Sequence, residues 1–375
     1  MSDSLFSVTG QIVLVSGGSR GIGLGLAAGF AQRGATVIVT GRQEETLRGA
    51  VAWLQSQPLL VTGSGPVVES ELCDVADGEA ITAAVSRVIE RHGRIDTLLN
   101  VAGVNIRQPA VEFSEQQFDF VLDINLKGAF LMAQECGRRM LEQRSGCVIN
   151  IDSLNTQGPL KNVTPYAMSK CGLQGMTRSL AVEWGPLGVR VNGLAPGFIL
   201  TDLTQKLWSD PTMHAWGQTN TPLGRLGLPE DLVGTALFLA SPAAAFLTGQ
   251  TMYVDGGFLA GRIWSIPSDG GQGEEACGLL DPEQTQDTPE SRGDAGVRFR
   301  ERERWGRLSR ASANGDTRDS WRRLGNRRRT ARTRDTSAAV PSGNIGTVCR
   351  RSTRGLGRPA GDSGSQPFWD ATDQT

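Results

Sequence analysis

The chain has 375 residues and a formal net charge of −1, and its length alone would accommodate two domains. Residues 1–260 contain 18 basic and 23 acidic residues, a net charge of −5, whereas residues 261–375 contain 20 arginines, no lysine and 16 acidic residues, a net charge of +4. Leu, Ile, Val, Met and Phe occupy 13 of the 115 positions in the second segment, too few to offset the entropy lost on ordering. We therefore expect a single folded domain over 1–260 and a disordered, low-complexity tail over 261–375.

The composition also argues against several classes of protein. No run of residues approaches the roughly 20 apolar positions that cross a bilayer, and the sequence after Met1 lacks the basic and apolar regions of a secretory signal. Six cysteines without a Cys-x-x-Cys spacing and only two histidines predict neither a disulfide framework nor a metal site. We expect a cytoplasmic protein with reduced thiols, no bound metal and no membrane contact.

Short β-branched runs alternate with longer helical patterns along the first 260 residues. Strands are predicted at 11–16, 36–40, 67–72, 97–100, 147–151, 189–194 and 250–254. Helices are predicted at 21–32, 44–55, 78–91, 114–143, 164–184 and 229–239. Nearly continuous apolar strands are typical of a parallel sheet covered on both faces. The alternation predicts a doubly wound, mostly parallel α/β sheet, with its ligands at the carboxyl ends of the strands.

A glycine-rich segment follows the first predicted strand. Its glycines allow a tight turn, close approach of a pyrophosphate and close packing of the next helix, whose first amides would face the anion. The spacing Gly-x-x-x-Gly-x-Gly differs from the commoner Gly-x-Gly-x-x-Gly, and a turn that binds nothing is the alternative. The predicted cradle consists of Gly17, Ser19, Arg20, Gly21, Ile22 and Gly23.

The end of the second strand selects the dinucleotide. An acidic residue there would bind the ribose 2′-hydroxyl of NAD(H), whereas a basic residue would accept the 2′-phosphate of NADP(H). Arg42 follows the strand, no carboxylate occurs before Glu44, and Arg20 could reach the same phosphate. We predict NADP(H) as the preferred cofactor and keep NAD(H) as the alternative, in which Arg42 is only a solvated residue.

The ends of the third and fourth strands carry further cofactor candidates. Asp74 and Val75 could lie along the adenine, with the Asp74 carboxylate accepting a hydrogen bond from its amino group. Asn100, Ala102 and Gly103 would provide a small-residue turn where the cofactor passes close to the backbone.

Tyr166 and Lys170 are four residues apart on a predicted helix and therefore share one face. A tyrosine pKa near 10 is too high for proton transfer at neutral pH, and a nearby cation lowers it. Ser153, after the fifth strand, could donate to a substrate oxygen, and Asn125, in mid-helix, could hold a water that connects Lys170 to solvent. A surface tyrosine beside a surface lysine is the alternative, but the chain has only two tyrosines.

In this order and spacing, these motifs resemble the short-chain dehydrogenase/reductase family over roughly residues 8–259. The resemblance implies a seven-stranded Rossmann-type sheet, a homotetramer, and hydride transfer between a nicotinamide and a carbonyl or alcohol carbon. It implies that Tyr166 is the acid/base, that Ser153 positions the carbonyl, that Lys170 lowers the tyrosine pKa and binds ribose, and that Asn125 supports a proton relay. It further implies that the nicotinamide contacts Pro196, Gly197, Ile199 and Thr201. The family's closing signature is matched by Val254-Asp255-Gly256-Gly257.

Two residues depart from the family pattern. Val101 stands where a second Asn is usual, and Asp152 stands where a Ser is common before the catalytic Ser. Neither change removes a catalytic group, but Asp152 introduces a charge beside the site.

Two segments should shape the substrate pocket. Residues 154–165, with Asn155, Gln157, Lys161 and Asn162, suit a hydroxylated or anionic substrate, and residues 201–226, with Trp208, His214 and Trp216, are long enough to form a lid. The pattern is similar to gluconate 5-dehydrogenases and other sugar-acid or polyol oxidoreductases, which favours substrates such as gluconate and 5-ketogluconate. It is nearly as similar to 3-oxoacyl-carrier-protein reductases, whose acidic partner could bind Arg138, Arg139 and Arg144.

Arginines of the C-terminal segment cluster at 298–310 and 322–334, with Trp305 and Trp321 among them. One interpretation is a nucleic-acid-binding appendage on a non-catalytic dinucleotide-binding protein, since arginines neutralise phosphates. Interspersed acids and the absence of a nucleic-acid-binding motif argue against it. The lack of lysine favours an extension that arose through a lost stop codon or a frameshift in a GC-rich sequence.

Overall fold

The computed structural model describes residues 4–61 and 65–261. The arginine-rich segment, and with it the prediction of a disordered tail, lies outside the described residues. The strands are β1 (Ile12–Ser16), β2 (Thr36–Gly41), β3 (Val67–Leu72), β4 (Thr97–Asn100), β5 (Gly146–Ile151), β6 (Val189–Pro196) and β7 (Thr251–Val254). The helices are α1 (Gly21–Ala31), α2 (Glu44–Gln55), α3 (Gly78–His92), α4 (Glu115–Leu122), α5 (Ala129–Gln143), α6 (Thr164–Trp184), α7 (Asp202–Trp208), α8 (Pro211–Asn220) and α9 (Glu230–Ala240).

The seven strands form one sheet in the order β3-β2-β1-β4-β5-β6-β7, and every pairing is parallel. The predicted doubly wound, seven-stranded architecture is confirmed. The strand order reverses between β1 and β4, which are paired with Ser16 opposite Asn100. This reversal is where a doubly wound sheet opens a crevice for a ligand.

Apolar residues on both faces of the strands bury the sheet between two helical layers. Along β1, Val13 and Val15 pack with α1, α2 and α9, while Leu14 packs with α3, α5 and α6 on the opposite face. All three side chains are fully buried, as the period of two along a strand requires when both faces are covered. The sheet therefore presents only its strand ends to a ligand.

The prediction of a single α-helix over 114–143 is wrong for the middle of that range, where the helix changes its geometry. A capping box between Ser114 and Gln117 begins α4, but the helix widens into a π-helical turn over Asp123–Gly128 before α5 starts. Apolar periodicity is nearly the same on both sides of such a turn, so the sequence pattern does not reveal it. π-helical turns occur frequently at functional sites, and this one contains Asn125.

The predicted lid segment contains the two short helices α7 and α8, which are joined at Ser209 and Asp210. Asp210 accepts a hydrogen bond from the amide of Met213 and so caps α8, whose first residue is Pro211. Residues 4–61 and 65–261 include no helix that is long and apolar enough to cross a membrane.

Candidate active site

A cleft of ≈ 410 Å³ opens at the carboxyl ends of the strands. The structure brings almost all of the predicted site residues together along its walls. Those lining the cleft are Gly17, Ser19, Arg20, Gly21, Ile22, Gly23, Arg42, Asp74, Val75, Ala102, Gly103, Ser153, Tyr166, Lys170, Pro196, Gly197, Ile199 and Thr201.

Asn100 and Asn125, by contrast, are buried beneath the cleft. The Asn100 amide donates to the carbonyl of Ala129 at 2.8 Å. Asn125 Oδ1 accepts from the Val104 amide at 2.8 Å, and its Nδ2 donates to the Val104 carbonyl and to Ser169 Oγ. Asn125 therefore holds the loop after β4 in place, whereas Asn100 joins the end of β4 to α5 and β5. A proton-relay role for Asn125 stays a prediction.

The glycine cradle has the close packing that a pyrophosphate site requires. Gly17 adopts a φ of +75°, and a Cβ at this position would lie 2.8 Å from the backbone of Ala102. A Cβ on Gly23 would lie 2.1 Å from the carbonyl oxygen of Gly17. Larger residues would thus displace the loop, and the amides at the start of α1 face the cleft as an anion-binding end.

Positive charge borders the adenosine end of this cradle. Arg20 and Arg42 both line the cleft, and neither side chain has a hydrogen bond or an ion pair with another described residue. Asp74, the predicted adenine contact, also lines the cleft, but its Oδ1 accepts a hydrogen bond from the Ala76 amide at 3.0 Å. The β2 end therefore suits a 2′-phosphate better than an uncharged 2′-hydroxyl.

The catalytic candidates converge at the other end of the cleft, where β5 meets α6. Lys170 Nζ donates to the carbonyl of Ile151 at 2.7 Å and lies 5.7 Å from the centre of the Tyr166 ring. Ser153 lies close enough to Tyr166 for its side chain to lower the pKa of the phenol. The amide and the side chain of Asn155 each donate to Ser153 Oγ at 3.1 Å, so Asn155 orients the serine as well as lining the cleft.

Burial dominates the electrostatics of this end. Desolvation lowers the pKa of Lys170 to about 8, against the attraction of Asp152. The pKa of Tyr166 lies above its ordinary value because of burial; Asp152 raises it further, while Ser153 and Arg107 oppose the rise. The lowered tyrosine pKa that the sequence suggested is therefore not found, since the same burial that raises the tyrosine pKa also disfavours the lysine charge.

Arg107 is a site residue that the motifs did not indicate. It lines the cleft beside Asn105 and has no hydrogen bond or ion pair with a described residue, while its charge acts on Tyr166. Its position in the loop after β4 was the available clue, because loops at the carboxyl ends of strands bind ligands in this architecture.

The lid contributes an aromatic wall. Phe198 packs edge-on against Trp208, Trp216 and Phe258, with ring centroids 5.2, 5.6 and 4.8 Å apart. Trp208 lines the cleft, whereas Trp216 and His214 do not. The tryptophans thus pack the lid against Phe198 at its base, and His214 lies outside the cleft.

Of the polar residues predicted in 154–165, Asn155 alone lines the cleft, together with the apolar Leu160 and Val163; Gln157, Lys161 and Asn162 lie outside it. Among residues 4–61 and 65–261, no three His, Cys, Asp or Glu side chains are grouped as a metal site would require. The substrate end therefore combines polar side chains, among them Asn105, Arg107 and Asn155, with apolar ones such as Leu160 and Val163.

A parallel, doubly wound sheet with an anion cradle after β1 and a Ser–Tyr–Lys group at β5 and α6 defines a dinucleotide-dependent oxidoreductase. The family model described as enoyl-(acyl carrier protein) reductase matches residues 16–259. The chain belongs to the short-chain dehydrogenase/reductase family, as its motifs predicted, and is an oxidoreductase acting on CH–OH groups.

Relatives of known activity span the same region. The chain is 37% identical over 253 residues to gluconate 5-dehydrogenase of Gluconobacter oxydans, covering 68% of this chain and 96% of the relative. It is 36% identical over 257 residues to 5-keto-D-gluconate 5-reductase of Escherichia coli K12, covering 68% and 98%. The crystal structure of a gluconate 5-dehydrogenase from Burkholderia cenocepacia in complex with NADP and tartrate is similar at a TM-score of 0.65 and 34% identity, covering 69% of this chain and 98% of that one.

Proposed function

We propose that the chain is an NADP(H)-dependent enzyme that interconverts a secondary alcohol and a ketone on a sugar acid, such as gluconate and 5-ketogluconate. The position of Arg107 is the main observation that supports a sugar acid as the class of substrate. Its guanidinium borders the catalytic end of the cleft without a protein partner, and it is close enough to Tyr166 to affect the pKa of the phenol. A guanidinium in this setting matches a carboxylate on the substrate.

Each residue at the catalytic end has a separate role in the reaction. NADPH, held by the cradle and by Arg20 and Arg42, would supply the hydride. Ser153, oriented by Asn155, holds the substrate carbonyl oxygen. Tyr166 gives its proton to that oxygen during reduction and removes it during oxidation. Lys170 lies behind the tyrosine, fixed by the Ile151 carbonyl, and has donors left for the ribose of the cofactor.

The names of the relatives support this assignment, since two of them act on gluconate or its 5-keto form. Structures with NADP bound support the cofactor: besides the Burkholderia enzyme, a putative gluconate 5-dehydrogenase from Beutenbergia cavernae contains bound NADP. The match of residues 16–259 to nearly whole relatives supports a catalytic domain ending near residue 260.

The test is a comparison of substrates with both cofactors. Gluconate and 5-ketogluconate should be turned over with NADP(H), neutral polyols more slowly, and acetoacetyl thioesters least. Absence of turnover with every carbonyl and alcohol tested would favour a non-catalytic dinucleotide-binding protein instead.

An Arg107→Gln variant isolates the carboxylate contact. We expect KM for gluconate to rise about 10- to 100-fold, because a charge-assisted hydrogen bond is lost, while KM for a neutral polyol stays constant. Arg48→Gln is the matched control, since Arg48 is an exposed arginine paired with Glu44 on α2. An equal rise in KM for charged and neutral substrates would contradict the assignment.

The 3-oxoacyl-thioester alternative finds less support. Two of the arginines that could bind an acidic carrier protein form ion pairs along α5: Arg138 with Glu135 at 3.4 Å and Arg139 with Glu142 at 3.1 Å. This pairing reduces the positive charge available to a partner protein.

We also propose a homotetramer in the cytoplasm. Several large apolar side chains are exposed on the neighbouring helices α4, α5 and α6 (Phe120, Phe130, Met168 and Val182), and apolar patches of this kind mark contacts between subunits. Sedimentation of the full chain tests the oligomer: a monomer at micromolar concentration would contradict it.

A further inference from the structure

Asp152 is a buried charge next to the reacting groups. It follows β5 directly, precedes Ser153, and is 2% exposed. Its Oδ2 accepts one long hydrogen bond, 3.4 Å from Thr251 Oγ1, and its Oδ1 has no hydrogen-bond partner among the described residues. Gly193 makes room for the carboxylate, because a Cβ at that position would lie 2.9 Å from Oδ2.

The charged groups around Asp152 come from one helix. Lys170 and Arg178, both on α6, attract its charge, and Tyr166 on the same helix is affected by it. The strands β6 and β7 face it with the neutral residues Gly193 and Thr251. No ion pair joins Asp152 to Lys170, so the carboxylate acts through space, where a buried setting screens charges less than water does.

Packing alone does not account for this side chain. An incompletely hydrogen-bonded carboxylate destabilises a folded protein, and burial accordingly raises the pKa of Asp152 to about 7. A neutral residue of similar size would fill the same space at lower cost. What a neutral residue could not provide is the negative charge that the Asp152 carboxylate carries once the pH rises above about 7, the range in which the tests below are made.

We propose that Asp152 is a positioning residue whose negative charge keeps Tyr166 and Lys170 protonated and so favours ketone reduction over alcohol oxidation. The direction of the effect follows from Coulomb's law: a nearby negative charge opposes the phenolate and stabilises the ammonium. A protonated Tyr166 is the form that donates to a carbonyl oxygen. This inference rests on the acid/base role proposed above for Tyr166.

The small number of tyrosines makes a direct test available. The chain has two, so in a Tyr253→Phe background the ultraviolet absorbance of tyrosinate follows Tyr166 alone. Adding Asp152→Asn should lower the titration midpoint of Tyr166 by roughly 0.5–1 pH unit. If Tyr253→Phe does not fold, the difference in absorbance between the chain and its Tyr166→Phe variant gives the same midpoint, with and without Asp152→Asn.

Thr251→Val is the matched control, because it removes the hydroxyl that contacts Asp152 but keeps the charge. It should leave the Tyr166 midpoint within about 0.2 unit of the parent. An unchanged midpoint in Asp152→Asn, or an equal shift in Thr251→Val, would overturn the proposal. These titrations need no substrate, so they test the effect of the Asp152 charge on Tyr166 separately from the proposed substrate and from the acid/base role of Tyr166.

A second readout uses the full chain and its activity. With Asp152→Asn, the alkaline limb of the reduction rate should move to lower pH, and the ratio of oxidation to reduction turnover at pH 8 should rise severalfold. Equal losses in both directions with no movement of the pH profile would indicate a structural role only and would contradict the proposal.

Discussion

The two ends of the cleft differ in how their residues come together. At the cofactor end, the anion cradle is one continuous loop between β1 and α1, and its geometry depends on glycines such as Gly17. At the catalytic end, Ser153, Lys170 and Arg107 come from three separate segments, and burial sets the protonation of the titrating groups. A local backbone builds the first end, whereas long-range packing builds the second. Substitutions at the cofactor end should therefore weaken dinucleotide binding, whereas those at the catalytic end should lower turnover.

The largest expected effect is at the catalytic end. Tyr166→Phe removes the proton donor and should lower kcat by about 10²–10⁴-fold, while the Kd for NADPH changes little because the cradle is untouched. Steady-state kinetics and NADPH fluorescence titration measure the two quantities. Turnover at the parent rate would remove Tyr166 from the mechanism.

Gly17→Ala should produce the opposite pattern at the cofactor end. A Cβ there meets the Ala102 backbone at 2.8 Å with φ at +75°, so the loop must shift and NADPH binding should weaken about tenfold or more. Gly49→Ala on α2 is the control, since nothing lies within 4 Å of its added Cβ; it should stabilise the domain by about 0.5–1 kcal/mol. Equal NADPH affinities for Gly17→Ala and the parent would show that the cradle tolerates a side chain.

Arg42→Ala tests the cofactor choice within that end. Loss of a charged contact to the 2′-phosphate should reduce the preference for NADPH over NADH by about tenfold, and kcat/KM with NADH should hardly change. The ratio of kcat/KM for the two cofactors is the measurement. A constant ratio would mean that Arg42 does not contact the phosphate.

A separate expected effect concerns the pH dependence of stability. The folded pKa of Asp152, about 7, lies above the ordinary 3.8, so the folded state keeps a proton that the unfolded chain loses. Stability from this group is fully present below pH 4 and is lost as the pH rises through 7. Urea midpoints should therefore fall less between pH 4 and pH 7 in Asp152→Asn than in the parent. Parallel curves would mean that the carboxylate ionises normally.

The sequence likewise predicts the cofactor end of the cleft better than the catalytic end. Nearly continuous apolar runs and spaced glycines act locally, and they predicted the sheet and the cradle. The Tyr166-x-x-x-Lys170 spacing placed two groups on one helix face for the same reason. Asn155 was predicted to shape the pocket, but its hydrogen bonds to Ser153 and the approach of Arg107 depend on how loops fold over the strand ends, and no spacing encodes that approach. The raised pKa of Tyr166 likewise depends on burial by residues far away in the chain.

The π-helical turn at Asp123–Gly128 contains one residue more than an uninterrupted α-helix would have over the same length. Removing a single residue there would restore the uninterrupted helix that the periodicity predicts. The two halves would then rotate relative to each other by about 100°, one residue of an α-helix, and the Asn125 amide would leave Val104 and Ser169. The extra residue of this turn thus places Asn125, between α4 and α5, in contact with Val104 at the cleft. Neither the composition nor the periodicity of the sequence reveals it.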